Sequence, residues 1–251
     1  SMAVFGTGLY MSSPELHIFI DYTSMFIVIG GSMTATAFSF KLEKLFTMTK
    51  IFLGRVIKGK GIKLNAVVTE LVKSIDEIKK GKKLTEIAES TNDLFFKESL
   101  ELINDGLLNP EDLLEVLEMR NEKIAENYKK DCDQMKAIGK FPPAFGMIGT
   151  TIGMIVLLAN LGGEDAMKKI GPAMGVCLIT TMYGASIANI IINPMAENLT
   201  EKTKEVYAKN EIIIEGIKLI LTKSNPILAA ERLNSYLTPS ERVDWKQIIG
   251  A

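Results

Sequence analysis

The stretch that decides the fold is FPPAFGMIGTTIGMIVLLANLGG at residues 141–163, followed, after the polar break Glu164-Asp165-Ala166-Met167-Lys168-Lys169, by IGPAMGVCLITTMYGASIANIIINPMA at residues 170–196. Neither apolar segment carries a charged side chain. A helix rising about 1.5 Å per residue crosses a hydrocarbon core of about 30 Å in about 20 residues, so each segment is long enough to span a bilayer. The direct reading is two membrane-spanning helices joined by a tight hairpin.

These helices are not plain apolar anchors. Gly146, Gly149 and Gly153 fall along one side of the first, and Cys177, Thr181, Gly184 and Ala188 along one side of the second. Small residues at helical spacing let two helices approach closely, which matters in lipid because the hydrophobic drive for association is weak there. Thr150, Thr151, Thr180 and Thr181 add four hydroxyls to the two spans. A hydroxyl in a membrane helix bonds back to a carbonyl of the preceding turn. On facing helices, such hydroxyls also line a polar path for an ion.

Composition agrees with a membrane class. Hydrophobic residues make up 47% of the 251 positions, and the uncharged runs are of spanning length. A formal net charge of −1 gives no electrostatic reason for a nucleic-acid partner. Cys132 lies in a charged segment and Cys177 inside a span, which argues against a mutual disulfide, and no metal-ligand spacing is present. No nucleophile–base pair, phosphate loop or metal cluster supports an enzyme. The lone His17 reads as a surface or interfacial residue.

Several strings together resemble the MotA/PomA family, the larger subunit of the flagellar stator. They are Pro143-Ala144-Phe145-Gly146-Met147-Ile148-Gly149-Thr150, Ile170-Gly171-Pro172-Ala173-Met174, Thr180-Thr181-Met182-Tyr183-Gly184 and Asn193-Pro194. The Gly-x-x-Gly-Thr and Gly-Pro pieces also occur in ExbB/TolQ proteins and identify only the superfamily. Ile20-Asp21-Tyr22-Thr23-Ser24 followed by Ile27-Val28-Ile29-Gly30-Gly31-Ser32 is similar to the second helix of the flagellar branch. The resemblance implies an all-α polytopic membrane protein with four transmembrane helices, the first incomplete here, and a large helical cytoplasmic domain. It also implies the bacterial inner membrane, a pentamer of this chain around a dimer of a single-span MotB/PomB-like partner that carries the ion-binding aspartate, and contact with the rotor switch protein.

The remaining chain fits that plan. Met2 to Met11 is too short to cross a bilayer and reads as the end of a first span or an interfacial segment. Ser12-Ser13-Pro14-Glu15 reads as a turn, and Tyr22 to Phe40 is uncharged and forms another span. Lys41, Lys44, Lys50, Arg55, Lys136 and Lys140 flank these spans on one side, against Lys168 and Lys169 on the other, so 41–140 is expected in the cytoplasm. The organisation is therefore 1–40 for the incomplete first span and the second, 41–140 for a helical cytoplasmic domain, 141–196 for the third and fourth spans, and 197–251 for cytoplasmic C-terminal helices. Within it, Asn65 is a candidate cap for a helix ending at Gly81. A second helix with Leu94, Phe95, Leu100 and Leu102 stops near Gly106. Asn109-Pro110-Glu111-Asp112 starts a long helix that runs into the membrane. Another is expected from Lys202 to Ser224-Asn225-Pro226, with a short helix of Leu228, Leu233 and Leu237 and a packing Trp245 beyond.

Moving an ion through lipid needs a group that titrates or coordinates, usually a buried carboxylate. The spans contain none, and Asp21 stands only at the edge of the second, so a partner helix must bring it. The resemblance implies Thr150, Thr180, Thr181 and Asp21 for the ion path. Sodium-using members look like this chain at the three threonines, while proton users tend to carry alanine or glycine at the first and at one of the pair. Sodium is therefore expected, with a proton as the alternative, and no cofactor. Pro143 and Pro194 read either as helix-end punctuation or as bends that couple ion binding to the cytoplasmic helices. Lys79 and Lys80 match the family's basic rotor-interface pair, with Glu86 or Glu89 as the accompanying acid. A solvated helix end accounts for the same charges. An ExbB/TolQ-type energiser of outer-membrane processes, with three spans, is the competing function.

Overall fold

The computed structural model describes residues 6–8, 10–11, 15–41, 43, 46, 50, 61–162 and 166–249. Most of the Met2 to Met11 stretch, the turn at Ser12-Ser13-Pro14, Lys44, Arg55 and Glu164-Asp165 of the hairpin lie outside those residues. Among the described residues the chain is helical and contains no strand. Contacts divide it into two units, Ser1–Lys58 with Lys130–Thr200, and Gly59–Lys129 with Glu201–Ala251.

The first unit contains the helices expected to span. A short turn, Leu16–Phe19, leads to helix α1, made of Tyr22–Met25, a wider π turn Phe26–Gly30, and Gly31–Ser39. The two long apolar helices beside it are α6 (Phe141–Ala159) and α7 (Ala166–Ser186). Helical runs Pro110–Ala159 and Met167–Leu221 are long and apolar enough to cross a membrane, and only 22% of each apolar window is buried within the chain. Met147, Ile155, Leu158, Leu178, Phe26 and Phe38 are accordingly exposed. In water such a surface would be unstable, whereas lipid or neighbouring helices solvate it well.

The second unit packs α2 (Leu64–Lys79), α3 (Leu84–Ser90), α4 (Leu94–Asp105), the start of α5 (Pro110–Ile138), the end of α8 (Asn193–Leu221), α9 (Pro226–Asn234) and α10 (Trp245–Ile249). Its core includes Val68, Leu71, Val72, Phe96, Leu100, Leu117, Ile213 and Ile217, with Trp245 packed against it. Gly81, at φ +96°, ends α2 in the left-handed conformation that glycine adopts at least cost. Its N–H bonds the Ile78 carbonyl and the Lys82 N–H bonds that of Glu77. Gly106 closes α4 in the same conformation.

Some expectations shift. The cap of α2 is Lys63, and Asn65 lies inside the helix with its carbonyl taking the Thr69 hydroxyl. The helix expected from Lys202 begins at Asn193, because a wide turn before it absorbs Pro194. Leu94 and Leu228 face outward, and the next residues on their helices, Phe95 and Ala229, take the buried places. The start of α5 is as expected: Asn109 Oδ1 accepts the Asp112 N–H at 2.8 Å, and Asn109 Nδ2 donates to the Asp112 carboxylate at 2.7 Å.

Candidate functional site

The antiparallel helices α6 and α7 meet along their small residues. A Cβ on Gly146 would lie 3.0 Å from the Thr180 carbonyl oxygen, one on Gly149 2.5 Å from Thr180 Cγ2, one on Gly153 2.6 Å from Cys177 Sγ, and one on Gly184 2.5 Å from the Pro142 carbonyl oxygen. Hydrogen at these four positions is what allows the backbones to come so close. Gly31 does the same for α1, since a Cβ there would collide with the Phe145 ring.

Contact this close sorts the threonines. Thr180 is fully buried against Gly149, and its hydroxyl donates to the carbonyls of Val176 at 2.7 Å or Cys177 at 3.1 Å. One residue on, about 100° around the helix, Thr181 is exposed at the edge of the same interface. Its hydroxyl oxygen is 2.6 Å from that of half-buried Thr150 on α6. Thr150 also reaches the Gly146 carbonyl at 3.0 Å and the Cys177 carbonyl at 3.1 Å, and Thr181 reaches Cys177 at 3.2 Å. Each hydroxyl has one proton, and each oxygen retains lone pairs. The Thr150–Thr181 pair therefore forms a small oxygen cluster at the helix edge, while Thr180 serves packing. Thr151 is exposed and bonds back to Met147 at 3.0 Å. The Cys177 thiol donates to the Thr150 carbonyl at 3.3 Å, adding a link across the interface.

Asp21 stands apart from this cluster as the cap of α1, its carboxylate accepting the Ser24 N–H at 2.6 Å. Tyr183 of α7 joins it there, donating its hydroxyl to the Phe19 carbonyl at 2.6 Å and receiving the Asp21 N–H at 3.3 Å. That tie was not apparent from sequence, because nothing in an apolar run tells which tyrosine will find an open carbonyl on another helix.

The two prolines occupy different settings. Pro143 is in the first turn of α6, where the missing N–H has no partner to lose. Pro194 is the second residue of α8, directly after the π turn Ile187–Ile192, so the wide turn replaces the break a proline would otherwise make. Asn189 and Asn193 brace this turn: Asn193 Nδ2 donates to Asn189 Oδ1 at 3.0 Å, and Asn189 Nδ2 donates to the Ala185 carbonyl at 3.0 Å.

In the second unit, Lys80 pairs with Asp76 at 2.5 Å and Lys82 with Glu77 at 2.8 Å. Lys79 is exposed and pairs with no carboxylate among the described residues. Ile87 and Ala88 are core residues, so Glu86 and Glu89, both exposed, are the acids α3 presents to solvent. Elsewhere in this unit, Glu118, Glu122, Glu211 and Glu215 line a cleft with Tyr207 and Tyr236. Glu211, together with desolvation and Glu122, holds the Tyr207 phenol above the usual tyrosine range. Tyr236 is raised first by burial and then by Glu215. Among the described residues no group of three or more His, Cys, Asp or Glu side chains is arranged to hold a metal ion.

Comparison with known proteins follows the same pattern. Residues 87–212 match the family model described as the MotA/TolQ/ExbB proton channel family. Motility protein A of Borreliella burgdorferi is 33% identical, over 100% of this chain and 92% of its own length. Chemotaxis protein PomA of Vibrio alginolyticus is 30% identical, over 91% of this chain and 88% of its own. The fold is similar to that of a chain in the flagellar MotAB stator complex from Bacillus subtilis, with a TM-score of 0.83 at 19% identity, covering 96% of this chain and 94% of that one.

Proposed function

The chain belongs to the MotA/TolQ/ExbB proton channel family, and from that premise we propose that it is a stator subunit of the bacterial flagellar motor. In this reading it sits in the inner membrane as a pentamer around a dimer of a MotB/PomB-like partner, and ion passage between the two drives the rotor. Relatives named for motility and for chemotaxis, matching over nearly the whole chain, favour the motor over an outer-membrane energiser.

The observation that carries the mechanism is the Thr150–Thr181 pair, two hydroxyl oxygens from two helices 2.6 Å apart at an exposed edge. A bare cation in hydrocarbon must be coordinated or neutralised. Hydroxyl and carbonyl oxygens are the hard ligands that sodium takes, but they carry no charge. Asp21 is the only carboxylate at the described spans, and it is engaged in capping α1. The neutralising carboxylate therefore comes from the partner's helix, laid against the edge formed by Thr150 and Thr181. An ion held between that carboxylate and the hydroxyls has its charge balanced by the one and its shed water replaced by the others, and its release toward the cytoplasm resets the site. Sodium is the ion this oxygen set suits.

Swimming speed and ion flux in sodium-rich and sodium-free media test the choice of ion. Loss of both without sodium is expected, and unchanged motility rejects sodium. Thr181→Ala is expected to lower ion flux while the complex still assembles. If assembly is lost instead, the hydroxyl pair only joins helices.

A further inference from the structure

Past Thr181 the chain places Ala185 and then Asn189 at steps of four residues. All three are exposed, while Thr180, Gly184 and Ala188, one place before each, are buried. Asn189 thus continues the edge that carries the Thr150–Thr181 pair, about 12 Å further along the axis. Eight residues of a regular α-helix overshoot two turns by about 80°. The wide turn Ile187–Ile192 advances less per residue and draws Asn189 back toward that edge. This is the end of the helix expected at the cytoplasm, because a Cβ on Gly139, next to the flanking Lys140, would lie 2.8 Å from Asn193 Oδ1. The Asn189 carboxamide is only half used. Its Nδ2 donates one proton to the Ala185 carbonyl at 3.0 Å, and its Oδ1 accepts one from Asn193 at 3.0 Å. One proton and one lone pair have no further partner among the described residues. Bracing the wide turn accounts for the two bonds that are made. It does not account for a carboxamide turned outward in a run, 170–196, that has no charged side chain. Such a group is costly against hydrocarbon, so the edge it faces is one visited by polar species.

Resting on the ion path inferred above, we propose that Asn189 is a second station on it, a neutral oxygen ligand that receives sodium as the ion leaves the Thr150–Thr181 pair for the cytoplasm. An ion that has shed water at the threonines must regain ligands before it reaches the aqueous side, and about 12 Å of helix without a polar group would be a barrier to it. The Ala185 carbonyl can only accept, so it holds the amide nitrogen and leaves the Asn189 oxygen turned away from it, toward the edge. That oxygen carries no formal charge. It therefore binds the cation well enough to draw it onward and weakly enough to let it go.

The test uses cells that express the full chain with its partner, reading swimming speed against external sodium, sodium uptake, and recovery of the partner with the purified chain. Asn189→Leu keeps the bulk of the side chain and removes its oxygen. It should lower maximal speed and uptake by about tenfold, with half-saturating sodium unchanged or lower and the partner recovered in full. Thr181→Ala, at the first station, should instead raise half-saturating sodium. Asn189→Ser, which retains an oxygen, should recover part of the loss. Asn193→Ala removes the brace but leaves the Asn189 carboxamide in place, and should conduct nearly as the parent does. If Asn193→Ala falls as far as Asn189→Leu, the carboxamide only braces the wide turn and the second station is wrong. Loss of the partner in Asn189→Leu would also overturn it, in favour of a hydrogen bond to the partner's helix. If Asn189→Leu conducts as the parent does while Thr181→Ala does not, the threonine site stands without the second station. If neither change alters conduction, both readings fall.

Discussion

Replacing Gly149 by alanine probes the α6–α7 contact most directly. The new Cβ would lie 2.5 Å from Thr180 Cγ2, 2.7 Å from its Cβ and 2.9 Å from its Oγ1. Thr180 has 0% exposure and no space to withdraw into. Overpacking of this kind costs about 1–3 kcal/mol, and the better helix propensity of alanine offsets up to about 1 kcal/mol of it. A net loss of about 1–2 kcal/mol remains, roughly a 5- to 30-fold change in the folded ratio. Gly175 on α7 is the matched control, because a Cβ there meets nothing within 4 Å. Gly175→Ala should be neutral or stabilising by up to about 1 kcal/mol. Both can be followed by circular dichroism of the purified protein in mixed micelles as the detergent is made progressively more denaturing. Thr180→Ser removes the methyl nearest the collision and keeps the hydroxyl, so adding it to Gly149→Ala should recover roughly half of the loss or more, a coupling that a double-mutant cycle measures. Equal stability of Gly149→Ala and Gly175→Ala, or no coupling to Thr180→Ser, would refute the close-packing argument.

Two further outcomes are expected in the second unit. Asn109→Ala removes both halves of the reciprocal cap on α5 and should cost about 1 kcal/mol, seen as faster hydrogen exchange at the Asp112 amide. Unchanged exchange there would discount the cap. Tyr207 keeps its proton in the folded chain to a higher pH than it does unfolded, chiefly because of Glu211. Above pH about 10 the unfolded chain therefore binds fewer protons than the folded one, and stability falls as pH rises. Tyr207→Phe should flatten that alkaline fall between pH about 9 and 11, and a melting-temperature curve of unaltered slope would count against the assignment.

Much of the helical layout is legible in the residues, because uncharged length and glycine spacing leave few alternatives for 141–163 and 170–196. The Asn109 cap and the Gly81 and Gly106 stops are legible for the same local reason: each requires a particular backbone or side-chain geometry. The division of labour between Thr180 and Thr181 is not. Adjacent residues point about 100° apart, and the side that faces α6 depends on how glycines 146, 149 and 153 seat against α7, which is a property of two helices together. Tyr183 is illegible for a similar reason, its partners lying on a segment more than 160 positions earlier. Asn65 misleads because an N-cap residue type also tolerates the first turn of a helix, where Thr69 uses its carbonyl.

The wide turn at Ile187–Ile192 has a bearing on how the long run through α7 and α8 should be mutated. A turn closed by i→i+5 bonds holds more residues than its neighbours, so the angular phase of side chains slips as the chain passes through it. A single helical wheel drawn from Ala166 to Leu221 would thus assign the wrong faces on one side of the slip. Substitution scans across this stretch fall into two registers, one counted toward Thr180 and the other from Asn193 onward.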